Sequence, residues 1–346
     1  MSVEVSDNNG TTFAIPATAL SGDLNVAATP TPAAKALVWD AAVDFNQQFK
    51  STMVVRVIAN DGTPPGPPRA GMALIPAGPF VMGKVGAERT RTVTVSAFYM
   101  EKFKVTKDLW KRVKTYAEAN GYVFSGNTVT AFSGAHPVVV NWFDAVKWCN
   151  ARSQQEGLTP VYYTDASFTT VYKTGQPATP PPEYIDPLHA KWSANGYRLP
   201  TEAEWEKAAR GTLVDMDYPW GNTFNPGDAN VADTSPFAVF GSGTTTPVGY
   251  YDGDQSPAGP DRANGYGLYD VTGNVFEWCW DWAFAQGFPV ETVDPRGWEG
   301  GDRKIVRGSA AYSPYGPLYD NSKVWFRQFF RTPQTVFAGF RCARGL

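Results

Sequence analysis

Two carboxylates raise the first chemical question. Asp270 and Glu277 bracket Gly273 and Asn274 inside the stretch NGYGLYDVTGNVFEWCWDW, residues 264–282. Side-chain and carbonyl oxygens converging on an irregular loop suit a hard cation such as Ca²⁺. The same pair reads equally well as solvated or capping carboxylates, and spacing alone leaves both readings open. Thiol chemistry has less to build on. Cys149, Cys279 and Cys342 are few, odd in number and widely spaced, which supports neither a disulfide framework nor a zinc site. Imidazole is confined to His136 and His189, and His136, followed by Pro137, reads as structural rather than as a general base.

The stretch that carries the carboxylates holds too many glycines for a helix and too many rings for a flexible loop. Gly265, Gly267 and Gly273 provide backbone turns, and Tyr266, Leu268, Tyr269, Phe276, Trp278, Trp280 and Trp282 can fold inward on them. Three helices are expected around it. Thr106 opens the first, with Leu109, Trp110, Val113 and Ala117 on one face and Asn120-Gly121 as its stop. Asn141 opens the second, which buries Ala145, Trp148 and Cys149 and turns Lys147 and Arg152 outward, with Cys149 a small buried hydrophobe. The third begins at a Thr201/Glu204 capping box, buries Trp205, Ala208 and Ala209, and ends at Gly211. Between the second and third helices, residues 158–195 lack periodicity and read as a long surface insertion. Residues 212–263 are nearly all loop, and so much irregular chain in one domain requires something to staple it.

Composition excludes several classes. Net charge is −3 and no Lys/Arg run stands out, so nucleic acid is not an expected partner. No apolar run approaches the length of a membrane span, so membrane insertion is not expected. Charged residues make up 18% against about a quarter in ordinary domains, while aromatics reach 14% with 12 Trp, which describes loops packed by rings. The first residues, MSVEVSDNNGTTF, show no basic start followed by an apolar stretch, so no signal peptide is read there. Residues 1–62 read as short alternating strands, clearest at Met53–Ile58, and are expected to form a small β-sandwich of immunoglobulin type. GTPPGPPRAG supplies a Pro/Gly linker over 63–71, ahead of a second domain at 72–346.

The motif GYGLYDVTGNVFEW resembles the central signature of the formylglycine-generating enzyme family, also called sulfatase-modifying-factor domains. Matching blocks are MALIPAGPFVMG, VTKDLW, HPVVVNWFDAVKWCNARS, YRLPTEAEWEKAARG, YPWGN, VRG-S and the terminal GFRCAR, in the family's order from residue 72 onward. The resemblance implies an α+β fold, a variant of the C-type-lectin-like fold, loop-rich with few helices. It also implies calcium as the staple. One site of the family falls here on Asp270, Gly273, Val275 and Glu277, with Asp where the family often has Asn. A second falls on Asn230 and Val231, but the acid expected downstream has no clear counterpart in PFAVFGSGTTT, and Asp233 is differently placed.

Catalysis in the family rests on two cysteines that follow the R-G-G-S segment and bind Cu(I) as thiolates, a soft-ligand chemistry no other pair of side chains reproduces. Aligned on Gly308-Ser309, those positions hold Tyr312 and Pro317, and no cysteine lies between 280 and 341. The resemblance therefore implies neither copper nor formylglycine-generating activity. The segment after Gly308 lines the substrate groove in the family, and here it offers Tyr312, Tyr315, Tyr319, Trp325, Arg327, Phe329 and Arg331 as candidate ligand contacts, part of which read equally well as core. Cysteine-free relatives include variable proteins of diversity-generating retroelements and accessory or oxidative enzymes. The expected function is a non-catalytic binding or structural protein, extracellular or at the cell surface, for a protein, peptide or glycan ligand. The alternative is an oxidoreductase that works without the cysteine pair.

Overall fold

A computed structural model describes residues 71–346, apart from 87–89, 127–132, 176–187, 226, 232–243, 257, 284–289, 302, 312–321 and 332–336, and four strands within the first seventy residues. The chain divides into two compact units, Met1–Pro67 and Pro68–Leu346. In the first unit β1 (Ser2–Ser6) pairs antiparallel with β4 (Val54–Ile58), and β2 (Leu20–Gly22) with β3 (Leu37–Trp39). The rest of the expected sandwich lies outside the described residues.

The second unit is α+β, with three helices among its described residues and most of the chain in loops. All three helices start where a side chain can accept the first free backbone N–H. Thr106 caps α1 (Lys107–Ala119) and Asn141 caps α2 (Trp142–Gln155). Thr201 and Glu204 close a capping box on α3 (Glu202–Arg210), which stops at Gly211 in the left-handed conformation. The amphipathic face expected of α1 is present, with Trp110, Val113 and Ala117 buried. The outward face expected of α2 is not. Lys147 is buried, paired with Asp144 at 2.9 Å and donating to the Val123 carbonyl at 2.5 Å. Arg152 pairs with Glu101 at 2.5 Å and lies over the Tyr197 ring. Core covers both sides of this helix, so its charged residues find partners inside instead of water.

The sheets are small. Strand β11 (Phe276–Ala283) lies between β12 (Arg303–Arg307) and β14 (Ala338–Gly339), with β13 (Gln328–Arg331) beyond β12. A three-stranded sheet orders β15 (Ala343–Arg344), β8 (Phe98–Glu101) and β5 (Met72–Ile75), and β6 (Gly78–Met82) pairs with β7 (Arg91–Val95). A two-residue pair, β9 (Tyr162–Tyr163) with β10 (His189–Ala190), closes part of the segment expected to be a surface insertion. That expectation fails at Tyr162, which is fully buried, stacks on Trp280 at 5.1 Å and accepts the Leu199 N–H at 2.8 Å. A ring with a committed hydroxyl is anchored in the core even when its flanking chain is irregular.

Candidate functional site

Strand β11 explains why the two carboxylates do not share one loop. Its side chains alternate, as a strand's must. Phe276, Trp278 and Trp280 enter one hydrophobic core with α1 and α2. Glu277, Cys279 and Asp281 face the other way, where α3 supplies Trp205 and the backbone N–H of Glu202. Glu277 is therefore an interior strand residue rather than part of the loop that carries Asp270.

Its carboxylate is fully buried and fully engaged. Oε1 accepts from Lys104 Nζ and from Arg341 Nη2 at 2.9 Å. Oε2 accepts from Arg341 Nε at 2.7 Å and from Trp205 Nε1 at 3.0 Å. Burial pushes this carboxyl up, but the cations of Arg341 and Lys104 outweigh it and hold it at about 2. Burial lowers the Lys104 ammonium to about 8 against the opposing pull of Glu277. Lys104 sits between β8 and the cap of α1, and Arg341 between β14 and β15, so this one carboxylate ties together distant parts of the chain.

Asp270 is placed by a turn, with φ +55°. It is buried, and Oδ2 accepts the Gly249 N–H at 2.7 Å. Burial raises its carboxyl, opposed by the Gly249 hydrogen bond and by Lys104 and Arg341. Gly273 is required twice over. Its φ is +87°, and a Cβ there would lie 2.4 Å from the Asn230 carbonyl oxygen. That carbonyl accepts the Asn274 N–H at 2.7 Å, and the Asn230 side chain donates to the Thr244 carbonyl at 2.9 Å. Val231 and Val275 are both buried.

The residues present do not fit a calcium ion at Asp270, Gly273, Val275 and Glu277. Calcium takes six to eight oxygen ligands, and here both oxygens of Glu277 already accept two donors each. The Glu101, Lys102 and Tyr269 carbonyls nearby are also spoken for, each accepting from Arg341. Residues 232–243, which follow Asn230 and Val231, lie outside the described residues, so the second expected site is placed only in part.

The three cysteines answer the redox question. All are fully buried. Cys149 and Cys342 lie side by side, Sγ to Sγ 3.9 Å, but deep in the core between α2 and the terminal strand rather than in an open cleft. Burial pushes the Cys342 and Cys279 thiols well up, away from the thiolate that would bind a metal or attack a substrate. His136 is buried too, its Nδ1 2.8 Å from Thr245 Oγ1, in the structural role expected of it.

The C-terminal segment is anchored by charge. Arg307, at the end of β12, is fully buried; it bonds Glu202 at 3.1 Å and Glu206 at 2.5 Å and donates to the Val324 and Trp325 carbonyls. Arg327 holds Glu202 from the other side at 2.6 Å. Trp325 turns inward, only 8% exposed, with Nε1 donating to Asp217 at 2.8 Å. This corrects the expectation that Trp325 meets a ligand, because its N–H and its ring are committed to the fold. Phe329 remains 41% exposed, with the Arg303 guanidinium over its ring. Arg331 pairs in register with Arg303 at the edge of the sheet. Tyr312, Tyr315 and Tyr319 lie outside the described residues.

The sequence reading missed two features beside this anchor. Asp281 is buried, and its Oδ2 accepts the Glu202 N–H at 2.7 Å. Burial raises its carboxyl to about 7 and Glu202 adds to the rise, while that hydrogen bond, Lys304 and Arg327 oppose it. The folded chain therefore keeps a proton that the unfolded chain loses near 3.8, and stability falls as pH rises through that window. Asp281→Asn keeps the acceptor and removes the titration. Its urea midpoint is expected to gain on the wild type between about pH 4 and 7; a gap independent of pH would mean that Asp281 is ionised throughout. An Asp in an alternating strand gives this away only once both faces are known to be covered.

Ser309 is the other. It is fully buried at φ +64°, and its Oγ has no hydrogen-bond partner among the described residues. Left-handed backbone and an orphaned hydroxyl each cost of order 1 kcal/mol, while glycine returns part of that as chain entropy. Ser309→Gly is expected to stabilise the chain by about 1 kcal/mol in urea unfolding. A loss of stability would show that the hydroxyl is satisfied in solution.

Small mixed sheets, three capped helices and long loops packed on rings define an α+β domain of the formylglycine-generating-enzyme type. The chain belongs to the sulfatase-modifying factor enzyme 1-like domain family, whose model matches residues 61–346. Chaperone protein LppX of Paenibacillus barcinonensis is 32% identical over 221 residues, covering 61% of this chain and 71% of that protein. The formylglycine-generating enzyme of Thermomonospora curvata is 30% identical over 310 residues, 79% of this chain and 93% of its own. The mouse protein named inactive C-alpha-formylglycine-generating enzyme 2 is 30% identical over 299 residues, 79% and 85%. Among solved structures, Treponema denticola variable protein 1 superposes with a TM-score of 0.58 at 27% identity, over 80% of this chain and 95% of that one.

Proposed function

We propose that this chain is a non-catalytic binding protein, acting outside the cytoplasm, in which a formylglycine-generating-enzyme-like scaffold carries a C-terminal recognition segment for a protein, peptide or glycan. One observation carries the reading: every thiol in the chain is sealed in the core. Copper-dithiolate oxidation needs two sulfurs that substrate and oxygen can reach, and the positions that follow Gly308 hold Tyr312 and Pro317 instead. Relatives named as an inactive enzyme and as a chaperone protein are consistent with a scaffold used without the oxidase chemistry. Phe329, exposed beside Arg303, belongs to this segment and suits contact with a flat or apolar group.

Peptide and glycan arrays probed with the whole chain test the reading. A saturable binder is expected, weakened about tenfold or more by Tyr315→Ala or Phe329→Ala. Binding indifferent to both changes removes the segment from the proposal. A parallel incubation with Cu(I), oxygen and a peptide carrying a sulfatase cysteine motif, read by mass spectrometry, is expected to leave the cysteine unchanged. An aldehyde product would overturn the non-catalytic reading in favour of an oxidoreductase.

A further inference from the structure

The cluster around Glu277 has the parts of a cation site. Two acids, Asp270 and Glu277, lie in a sealed pocket of the fold with two bases, Lys104 and Arg341. Three backbone carbonyls, of Glu101, Lys102 and Tyr269, also point into it. Such a set of buried oxygens demands positive charge, because an uncompensated carboxylate in the interior is costly. Arg341 satisfies the carbonyls and one edge of Glu277, and its planar fork suits that edge. The ammonium of Lys104, a compact point charge on a flexible stem, takes the remaining position on Oε1.

We infer that Lys104 is the built-in cation of this cluster, occupying by its ammonium the place that calcium is expected to fill in related domains, so that this cluster is stapled without metal. The charge count supports this directly. Asp270 and Glu277 balance Lys104 and Arg341, and a divalent ion added to that neutral set would meet two cations and no free carboxylate oxygen on Glu277. Lys104 is wholly buried, and Glu277 is the acid it touches. The inference stands apart from the proposed ligand and is unaffected if no ligand is found.

Thermal unfolding and calcium dialysis of the whole chain test it, comparing wild type with Lys104→Ala. Wild type is expected to melt at the same temperature in excess CaCl₂ and in EDTA, and any calcium it binds in equilibrium dialysis is expected to survive Asp270→Asn. Lys104→Ala leaves the acids in excess and vacates the cation's place. Its melting temperature is expected to be lower in EDTA and to rise by roughly 5 °C in calcium at about 100 times the dissociation constant, but not in magnesium. Saturable calcium binding by the wild type that Asp270→Asn abolishes, with a matching rise in melting temperature, overturns the inference. So does a folded Lys104→Ala protein that ignores calcium. Should that variant fail to fold in either condition, the wild-type dialysis decides alone: calcium binding that Asp270→Asn abolishes refutes the built-in cation, and a wild type without such binding sustains it.

Discussion

Glu277→Gln is expected to destabilise the second unit by about 3–5 kcal/mol, the loss typical when one member of a buried ion cluster is removed. An amide is nearly the same size, so no cavity accounts for the effect. What changes is charge: Lys104 and Arg341 would face each other across a neutral group, and the amide NH₂ would oppose one of their donors. Lys104→Met is expected to cost less, because Arg341 and Trp205 still hold both oxygens of Glu277. Urea unfolding with unchanged slope is the appropriate measure, since the slope reports whether the unfolded state has moved. A cost below about 1 kcal/mol for Glu277→Gln would mean that water reaches the cluster and screens it, contrary to its complete burial.

Arg307→Met is the second large effect, at about 3 kcal/mol, because both carboxylates it holds keep another cationic partner. Glu202 retains Arg327, and Glu206 retains Arg210 at 2.6 Å. The Val324 and Trp325 carbonyls lose the donor that pins them to β12. Stability alone is therefore not the signature. Hydrogen exchange is expected to accelerate locally across residues 322–330, ahead of the global change, as the segment is released from the strand. Arg307→Lys should not rescue, since one ammonium cannot span two carboxylates and two carbonyls as the guanidinium fork does. Uniform acceleration over the whole unit, with no local excess at 322–330, would remove Arg307 from its anchoring role.

Several elements were legible before any coordinates. Thr106, Asn141 and the Thr201/Glu204 box mark the helix starts because capping uses donors and acceptors within three residues of each other. The burial of Cys149 followed from its place on an apolar stripe of one helix. The family was legible because its motif blocks run in order along most of the chain.

Other readings went wrong for a common reason. Lys147 and Arg152 were placed outward on helical periodicity, which knows nothing of a second layer covering the polar side. Trp325 was offered to a ligand on its residue type, yet Asp217, far away in sequence, claims its indole N–H. The spacing of Asp270 and Glu277 leaves ligand and structural roles open, and the strand pairing that turns Glu277 toward Trp205 is not written in the flanking residues.

By itself, then, the sequence determined this protein's family, its helix caps and the lack of a cysteine pair after Gly308, because each is a matter of residue identity or of neighbours within one turn. Only the tertiary structure decided what balances the buried charge. Glu277 meets Lys104 across 173 residues and Arg341 across 64, and no local pattern encodes a partner at that separation. Backbone preference acts over a few residues, whereas the electrostatic fate of a buried carboxylate depends on whichever chain segments the fold brings into contact with it.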